Sequence, residues 1–494
     1  MLADKHIRRL EIALPAVLCA VLLAFSAGSL TDIVLDHDEV QHLHIAWRIS
    51  AGDQPYVDFA DNHNHLFPSL LALTLPDGDD PGAAVFRGRL FMMLCTALTL
   101  FMLWALAAQL TNRRLALLVP LALAGSAWWS ICSGAIRPDV PMTTAITAGW
   151  LVYYRSRDSA GPWGPFAAGA LWGLSTALLA KAALAAVGPG LVLLFAVVRD
   201  SKQRKQRLLQ LVALCAGFGV VAGAYLAWLW ADGLLGPFFF WVVRFNTEYL
   251  APSASDPGFG VLQVLGASLA SDGPLWVLAC LGIPLACWRG AGEARQIPLA
   301  VYFALLVSST FQLNQPNYQY LLPLLTLLPV VAVTGLQHGL DWLRSRWPEP
   351  GALAGLVVAL LLAGTAVPSL MEIADVDDSS SQLDRIKQVL EMVPADHLVI
   401  ATPPEHPIFR KDALYLWFNN PRFHNVLTRL DPSPPLDRWK MDPQRLISDP
   451  PTAIITDGTK IHSFYGLNDL VKERYLTWAK DPEVLFLDVF VQGL

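Results

Sequence analysis

The sequence predicts a polytopic α-helical membrane protein of about eleven transmembrane helices, followed by a soluble α/β domain. Three observations carry this. Over 494 residues, 54% are hydrophobic and only 15% charged, with a mean hydropathy of +0.43. Apolar segments long enough to cross a hydrocarbon core of roughly 30 Å recur along the first three quarters of the chain. From about Met371 the composition turns abruptly charged and Pro-punctuated.

The apolar segments fall at 10–30, 84–110, 115–133, 139–154, 163–180, 183–198, 208–231, 272–288, 296–312, 319–340 and 351–370. The first could pass for a secretory signal, but its length and the strongly polytopic sequence after it make it a retained span. The basic clusters KHIRR (5–9), TNRR (111–114), YRSR (154–157), RDSKQRKQR (199–207), WRGAGEAR (288–295) and WLRSRW (342–347) then share one face. The excess of Lys and Arg assigns that face to the cytoplasm, so the N-terminus is inside and the C-terminus outside. Segment 258–271 is a further span or an interfacial helix.

After residue 370, SQLDRIKQVLEMV has helical apolar spacing, while HLVIA, TAIIT and VLFLDVFV read as short buried strands. This gives a membrane module over 1–370, with an external loop at 31–83, and an extracytoplasmic α/β domain over 371–494. The six Cys all lie in apolar segments without a CxxC, which excludes a disulfide framework and a thiolate zinc site. The net charge of -6 is segregated by side, and no basic patch suits nucleic acid.

The external face collects the unusual polar residues: the opening loop LDHDEVQHLHIAWRISAGDQPYVDFADNHNH (35–65), GAIRPDVP (134–141), Lys181, FWVVRFNTEY (240–249) and FQLNQPNYQY (311–320). Their convergence points to a site there. Asp36 and Glu39 have the spacing of a capping box. DEVQHLHIAWRIS follows as a short helix, with Val40, Leu43 and Trp47 along one side in the manner of an interfacial helix, ending at AGD before Pro55. Capping requires neither Asp38 nor His42 one turn later, so these two are the better candidates for chemistry. Glu39→Gln is expected to be mild, because an amide keeps the capping bond.

In order, a first span, DE, a short helix, GDQPYVDF and DNHNHLFP, then IRPDVP, a Lys in the fifth or sixth span and NYQYLLPLLTLLP resemble bacterial membrane glycosyltransferases of the GT-C superfamily, near the protein O-mannosyltransferase and aminoarabinose transferase group. The resemblance covers about 370 residues and not the C-terminal domain. It implies a GT-C-like fold and an inverting transfer of sugar from a polyprenyl phosphate to an acceptor hydroxyl on the external side of a bacterial inner membrane. Partners would be the lipid-linked sugar, a glycan, lipid or protein acceptor, and membrane lipids, with no nucleic acid.

By the same resemblance Asp38 is the general base and Glu39 its orienting or capping neighbour. Asp58 and Asp61 hold the acceptor, His63 matches a His of relatives, and Arg137 and Lys181 face the donor phosphate; His42, one turn from Asp38, and Asp139, Tyr318 and Tyr320 on the external face are further candidate substrate contacts read from the residues themselves. Relatives carry Pro at the place of His65. Snorkelling from a helix end is the plain alternative for the two cations, and interfacial anchoring for Tyr318, Tyr320 and Trp241. His63 and His65 are candidate ligands for a divalent metal; His42 and His44 are a poor chelate, because alternate residues of a helix point apart. A transporter or lipid flippase is the competing class. It predicts mid-membrane charges and repeat-related halves, whereas these acids lie outside the spans.

Overall fold

The computed structural model describes residues 2–29, 33–159, 161–251, 260–288, 297–310, 318–374, 379–401, 403–417, 421–430, 446, 448–455, 471, 473–478 and 481–487. Residues 311–317 of the FQLNQPNYQY segment, most of 288–295 and the end of VLFLDVFV lie outside them. The chain divides into two compact units, one of residues 1–31, 92–227 and 251–376, the other of 32–91, 228–250 and 377–494.

A helix occupies each of the eleven apolar segments, among them Leu2–Ser29, Asp139–Ser156, Trp163–Leu178, Leu322–Arg346 and Pro348–Ala374 of the first unit, and Pro81–Leu110 and Arg204–Ala231, which the two units share. Four helices among the described residues are long and apolar enough to cross a membrane, or up to six if each of two bent pairs is one span. The bent pairs explain two of the sequence boundaries. Leu115–Ala124 and Ala127–Gly134 meet at 73°, and Leu262–Ser271 and Gly273–Leu285 at 102°, so the helix Gly260–Ser271 is one arm of a broken element.

With hydrocarbon outside, helices associate through close backbone approach rather than water exclusion. Gly169 and Gly217 show it: a Cβ on the first would lie 2.1 Å from the Leu214 carbonyl oxygen, and on the second 1.9 Å from that of Phe166. The span Tyr318–Arg346 is the most enclosed of the four candidates, with 78% of its apolar window buried.

The second unit joins the opening loop to the C-terminal segment. Helix His37–Ser50 has Asp36 as N-cap, its carboxylate accepting from the Glu39 N–H at 2.8 Å while the Glu39 carboxylate accepts from the Asp36 N–H at 3.3 Å, the full capping box. Its end follows Ala51, where Gly52 takes φ +91. The interfacial reading of this helix is corrected: positions 39–46 and 48 are all buried, because Phe59 and Trp417 close a core over Ile45.

Helix Ser380–Met392 and five strands complete the unit: β1 Leu398–Ile400, β2 Lys411–Asp412, β3 Ala453–Ile455, β4 Tyr475–Trp478 and β5 Asp481–Leu487. Their order is β2-β1-β3-β5-β4, with parallel pairs β1/β2 and β1/β3 and antiparallel pairs β3/β5 and β4/β5. Alternation splits the apolar side chains between two cores. Val399, Ala453 and Ile455 meet Val389 of the helix, while Ile400 and Ile454 meet Leu414 and Tyr475. Burial on both faces is why these strands read as continuous apolar runs.

Candidate active site

The capping box leaves different environments to the two adjacent acids of the opening helix. Glu39 is buried, and Arg89 of the helix Pro81–Leu110 grips both its oxygens, Nε to Oε1 at 3.0 Å and Nη2 to Oε2 at 2.9 Å. Its carboxylate thus serves a cap and a bidentate ion pair together. Asp38 stands partly exposed in the same first turn, one turn before His42 on the same face.

His42 is buried, with its ring edge-on to His63 at 5.0 Å and to Phe67 at 5.1 Å. His63 is held by Asp61, whose Oδ1 meets Nδ1 at 3.0 Å and accepts the His63 N–H at 3.0 Å. The Tyr56 hydroxyl donates to the His63 carbonyl at 2.6 Å. His42, Asp61 and His63 therefore form one group. Asp58 is apart from it, exposed and accepting the Gln54 N–H at 2.6 Å within its own turn.

Two residues on from His42 is a 200° rotation, and His44 faces the other way. Its Nε2 meets Asp412 at 2.8 Å and its Nδ1 the Ile408 carbonyl at 2.5 Å. Asp412 also receives His406 Nε2 at 2.9 Å and Arg48 Nη1 at 3.1 Å. Burial opposes ionisation, but the two imidazoles hold the Asp412 carboxyl well below the usual range. His44, His406 and Asp412 form the group with metal-ligand spacing among the described residues, their ligand atoms within 4.8 Å. The set is a candidate metal site; in the arrangement seen here His406 Nδ1 accepts the Ile408 N–H at 3.0 Å, and its Nε2 faces Asp412. Of the pair singled out from the sequence, His63 bonds Asp61, while the charge of Asp61 also reaches His65.

His65 lies against Trp228, ring centroids 4.4 Å apart. Burial holds its pKa down at about 4, opposed by Asp61 and Asp232. An unfolded imidazole titrates near 6.5, so between about pH 6.5 and 4 the unfolded chain binds a proton that the native one refuses, and stability falls as pH is lowered. Melting of the purified protein at pH 7 and pH 4.5 should show this loss. His65→Gln should reduce the slope, part of which remains with buried His44, also held down at about 4 by its burial; an unchanged slope would place His65 outside the acid response.

The cations predicted for the phosphate belong to the first unit. Asp139 begins the helix Asp139–Ser156, and Lys181 lies in the 3-10 turn Ala180–Ala183. Lys181 Nζ meets Asp139 Oδ1 at 2.5 Å, the Gln319 carbonyl at 3.4 Å and the Tyr320 ring at 4.3 Å from its centroid. Lys181 thus does not snorkel: an acid, a carbonyl and a ring fix its ammonium. Arg137, half-buried, stands two residues before Asp139. Tyr318 is turned away from Lys181 and donates to buried Asp272, which also receives Ser268 Oγ at 2.7 Å. Tyr318 and Trp241 are buried inside the protein rather than anchored at an interface.

Arg89, Asp272, His406 and Asp412 escaped the sequence reading. Arg89 lies with Arg87 inside the apolar segment 84–110, and Asp272 starts the segment 272–288; nothing local names a partner for either. His406 and Asp412 lie in the loop-like PPEHPIFRKDALYLWF, where no periodicity announces a partner.

Residues 82–229 match a family model described as dolichyl-phosphate-mannose-protein mannosyltransferase. That region holds Arg89, Arg137, Asp139 and Lys181. No curated protein sequence matches the chain. Among solved structures, ArnT from Cupriavidus metallidurans in the apo state is 14% identical with a TM-score of 0.65, over 96% of this chain and 98% of that one. ArnT bound to undecaprenyl phosphate is 13% identical with a TM-score of 0.63, over 96% and 97%. The archaeal oligosaccharyltransferase AglB from Archaeoglobus fulgidus, in complex with an inhibitory peptide and a dolichol-phosphate, is 12% identical with a TM-score of 0.52, over 78% and 62%. These similarities bear out the resemblance read from the motifs, and the fold is that of membrane glycosyltransferases.

Proposed function

We propose that this chain, a membrane glycosyltransferase using a lipid-phosphate-linked sugar, moves that sugar with inversion from a polyprenyl phosphate to an acceptor hydroxyl on the external face of a bacterial inner membrane. The acceptor oxygen forms its bond to the anomeric carbon as its proton passes to a carboxylate. The bond from that carbon to phosphate oxygen breaks, and the lipid phosphate departs with the electron pair. Asp38 is the proton acceptor. The observation that supports this choice above all is the difference between the two adjacent acids: both oxygens of Glu39 are engaged by Arg89 in the interior, whereas Asp38 is partly exposed. His42, Asp61 and His63 orient the acceptor. Arg137 and Lys181 meet the charge developing on the phosphate, with Asp139 and Tyr320 fixing the lysine. No step is routed through a metal.

Incubating the purified protein in vesicles with radiolabelled polyprenyl-phosphate sugar tests the reading. Transfer of label to an acceptor supports it; movement of intact donor across the bilayer identifies a flippase instead, and neither outcome leaves a non-catalytic lipid binder.

Lys181→Ala removes the ammonium but also strips buried Asp139 of its ion-pair partner, so Lys181→Ala/Asp139→Asn is the cleaner variant. Like Arg137→Ala, it should weaken donor use about ten- to a hundredfold, the worth of a charge-assisted contact of roughly 1.5 to 3 kcal/mol, in protein that stays monodisperse. Unchanged donor kinetics would return both cations to a structural role.

The topology is tested separately. The opening loop and the C-terminal segment share the core of Ile45, Phe59 and Trp417, so both belong to one side of the membrane. A reporter fused after Leu494 should read as external and one inserted within 199–207 as cytoplasmic. A cytoplasmic C-terminus would overturn the external site.

A further inference from the structure

The helix Asp139–Ser156 starts at the pair Asp139–Lys181 and, at 1.5 Å per residue, carries Arg155 about 24 Å along the axis, close to a hydrocarbon thickness. At that far end lies a cavity of about 520 Å³ lined by Trp104, Arg113, Tyr154, Arg155, Arg157 and Asp158. Three guanidiniums face one carboxylate there. Arg113 and Arg155 are exposed, and among the described residues neither forms an ion pair.

The adjoining cavity, of about 530 Å³, shares Arg113 but holds its other two guanidiniums on one acid: buried Glu11 pairs with Arg114 at 3.2 Å and with Arg344 at 3.0 Å. There Glu11 ties down two of the three arginines, whereas the Arg155 cavity is lined by Arg113 and Arg155, neither of them in an ion pair among the described residues.

Leading to the charged cavity along the helix Pro81–Leu110 is an apolar stripe, Leu94, Leu98 and Phe101, at 63%, 51% and 58% exposure. The spacing i, i+4, i+7 puts the three on one face. Phe101 touches Trp104 at 5.7 Å between ring centroids, so the stripe runs to the cavity's aromatic rim. A chain-bearing anion matches both parts: acyl chains on the stripe, phosphate among the arginines. The basic clusters assign this end to the cytoplasmic leaflet.

We infer that this cavity binds the phosphate head of an anionic phospholipid of the cytoplasmic leaflet, at the opposite end of the helix from the Asp139–Lys181 pair. The site is independent of the catalytic reading, and its test needs no turnover.

Native mass spectrometry of the full chain in detergent, titrated with phosphatidylglycerol, phosphatidylcholine or inorganic phosphate, measures it. Phosphatidylglycerol should be retained in preference to phosphatidylcholine. Arg113→Gln/Arg155→Gln should weaken that retention about tenfold or more, as expected for loss of charge-assisted contacts. Arg346→Gln, an exposed arginine elsewhere in the same basic set, should leave it unchanged. Should the double variant lose monodispersity, Arg155→Gln alone is read. Equal retention of the two lipids, an unchanged variant, or displacement of phosphatidylglycerol by equimolar inorganic phosphate would each overturn the inference, the last by showing a site for a soluble anion.

Discussion

Asp38→Asn should lower turnover about 10²- to 10⁴-fold, the range associated with a positioned general base. The substitution keeps the shape of the side chain and removes its capacity to take a proton. Because Asp36 supplies the cap and Glu39 the buried ion pair, helix His37–Ser50 keeps both of its anchors. Melting temperature and donor binding should therefore barely move, and the whole loss should fall on kcat. Near-normal turnover would sink the assignment and send the search to Asp36, Asp58 and Asp61.

Arg89→Met should destabilise the protein by about 3 to 5 kcal/mol, the effect of stranding one member of a buried ion pair. With side-chain exposures of 4% for Arg89 and 3% for Glu39, water cannot replace the lost partner. Here the structure corrects an expectation from the sequence. Glu39→Gln is mild only if the cap is the sole task of that side chain, and an amide cannot neutralise Arg89. It should approach Arg89→Met in severity, while Glu39→Gln/Arg89→Met should recover much of the loss, because a neutral pair leaves no charge buried. Thermal melts of the four proteins form a double-mutant cycle; additive losses would show that the two side chains are not coupled.

The membrane class, the helical segments and the elements around the opening loop were legible in the sequence because local physics sets them. Apolar length marks a helix in hydrocarbon, Asp36 and Glu39 three residues apart write a capping box, and Gly52 ends the helix where φ turns positive. The strands at HLVIA and TAIIT announced themselves by apolar runs, since both faces of their sheet are covered. The separation of His42 from His44 follows from the helical period alone.

Partner choice between distant segments was not legible. Arg89 and Glu39 are fifty residues apart, Asp412 and His44 more than three hundred, and no periodicity links them. The sequence also showed several acids and imidazoles in one loop without ranking them. Tertiary packing ranks them by solvation. It buries Glu39 against a guanidinium and encloses His44 with Asp412, leaving Asp38 partly wet and Asp58 in its own turn. A helix that read as interfacial is buried on nearly every side for the same reason: the segment that covers it, around Tyr415 and Trp417, arrives from the far end of the chain. Local spacing therefore determined which residues could do chemistry in this protein, and long-range burial decided which of them are held by the fold instead.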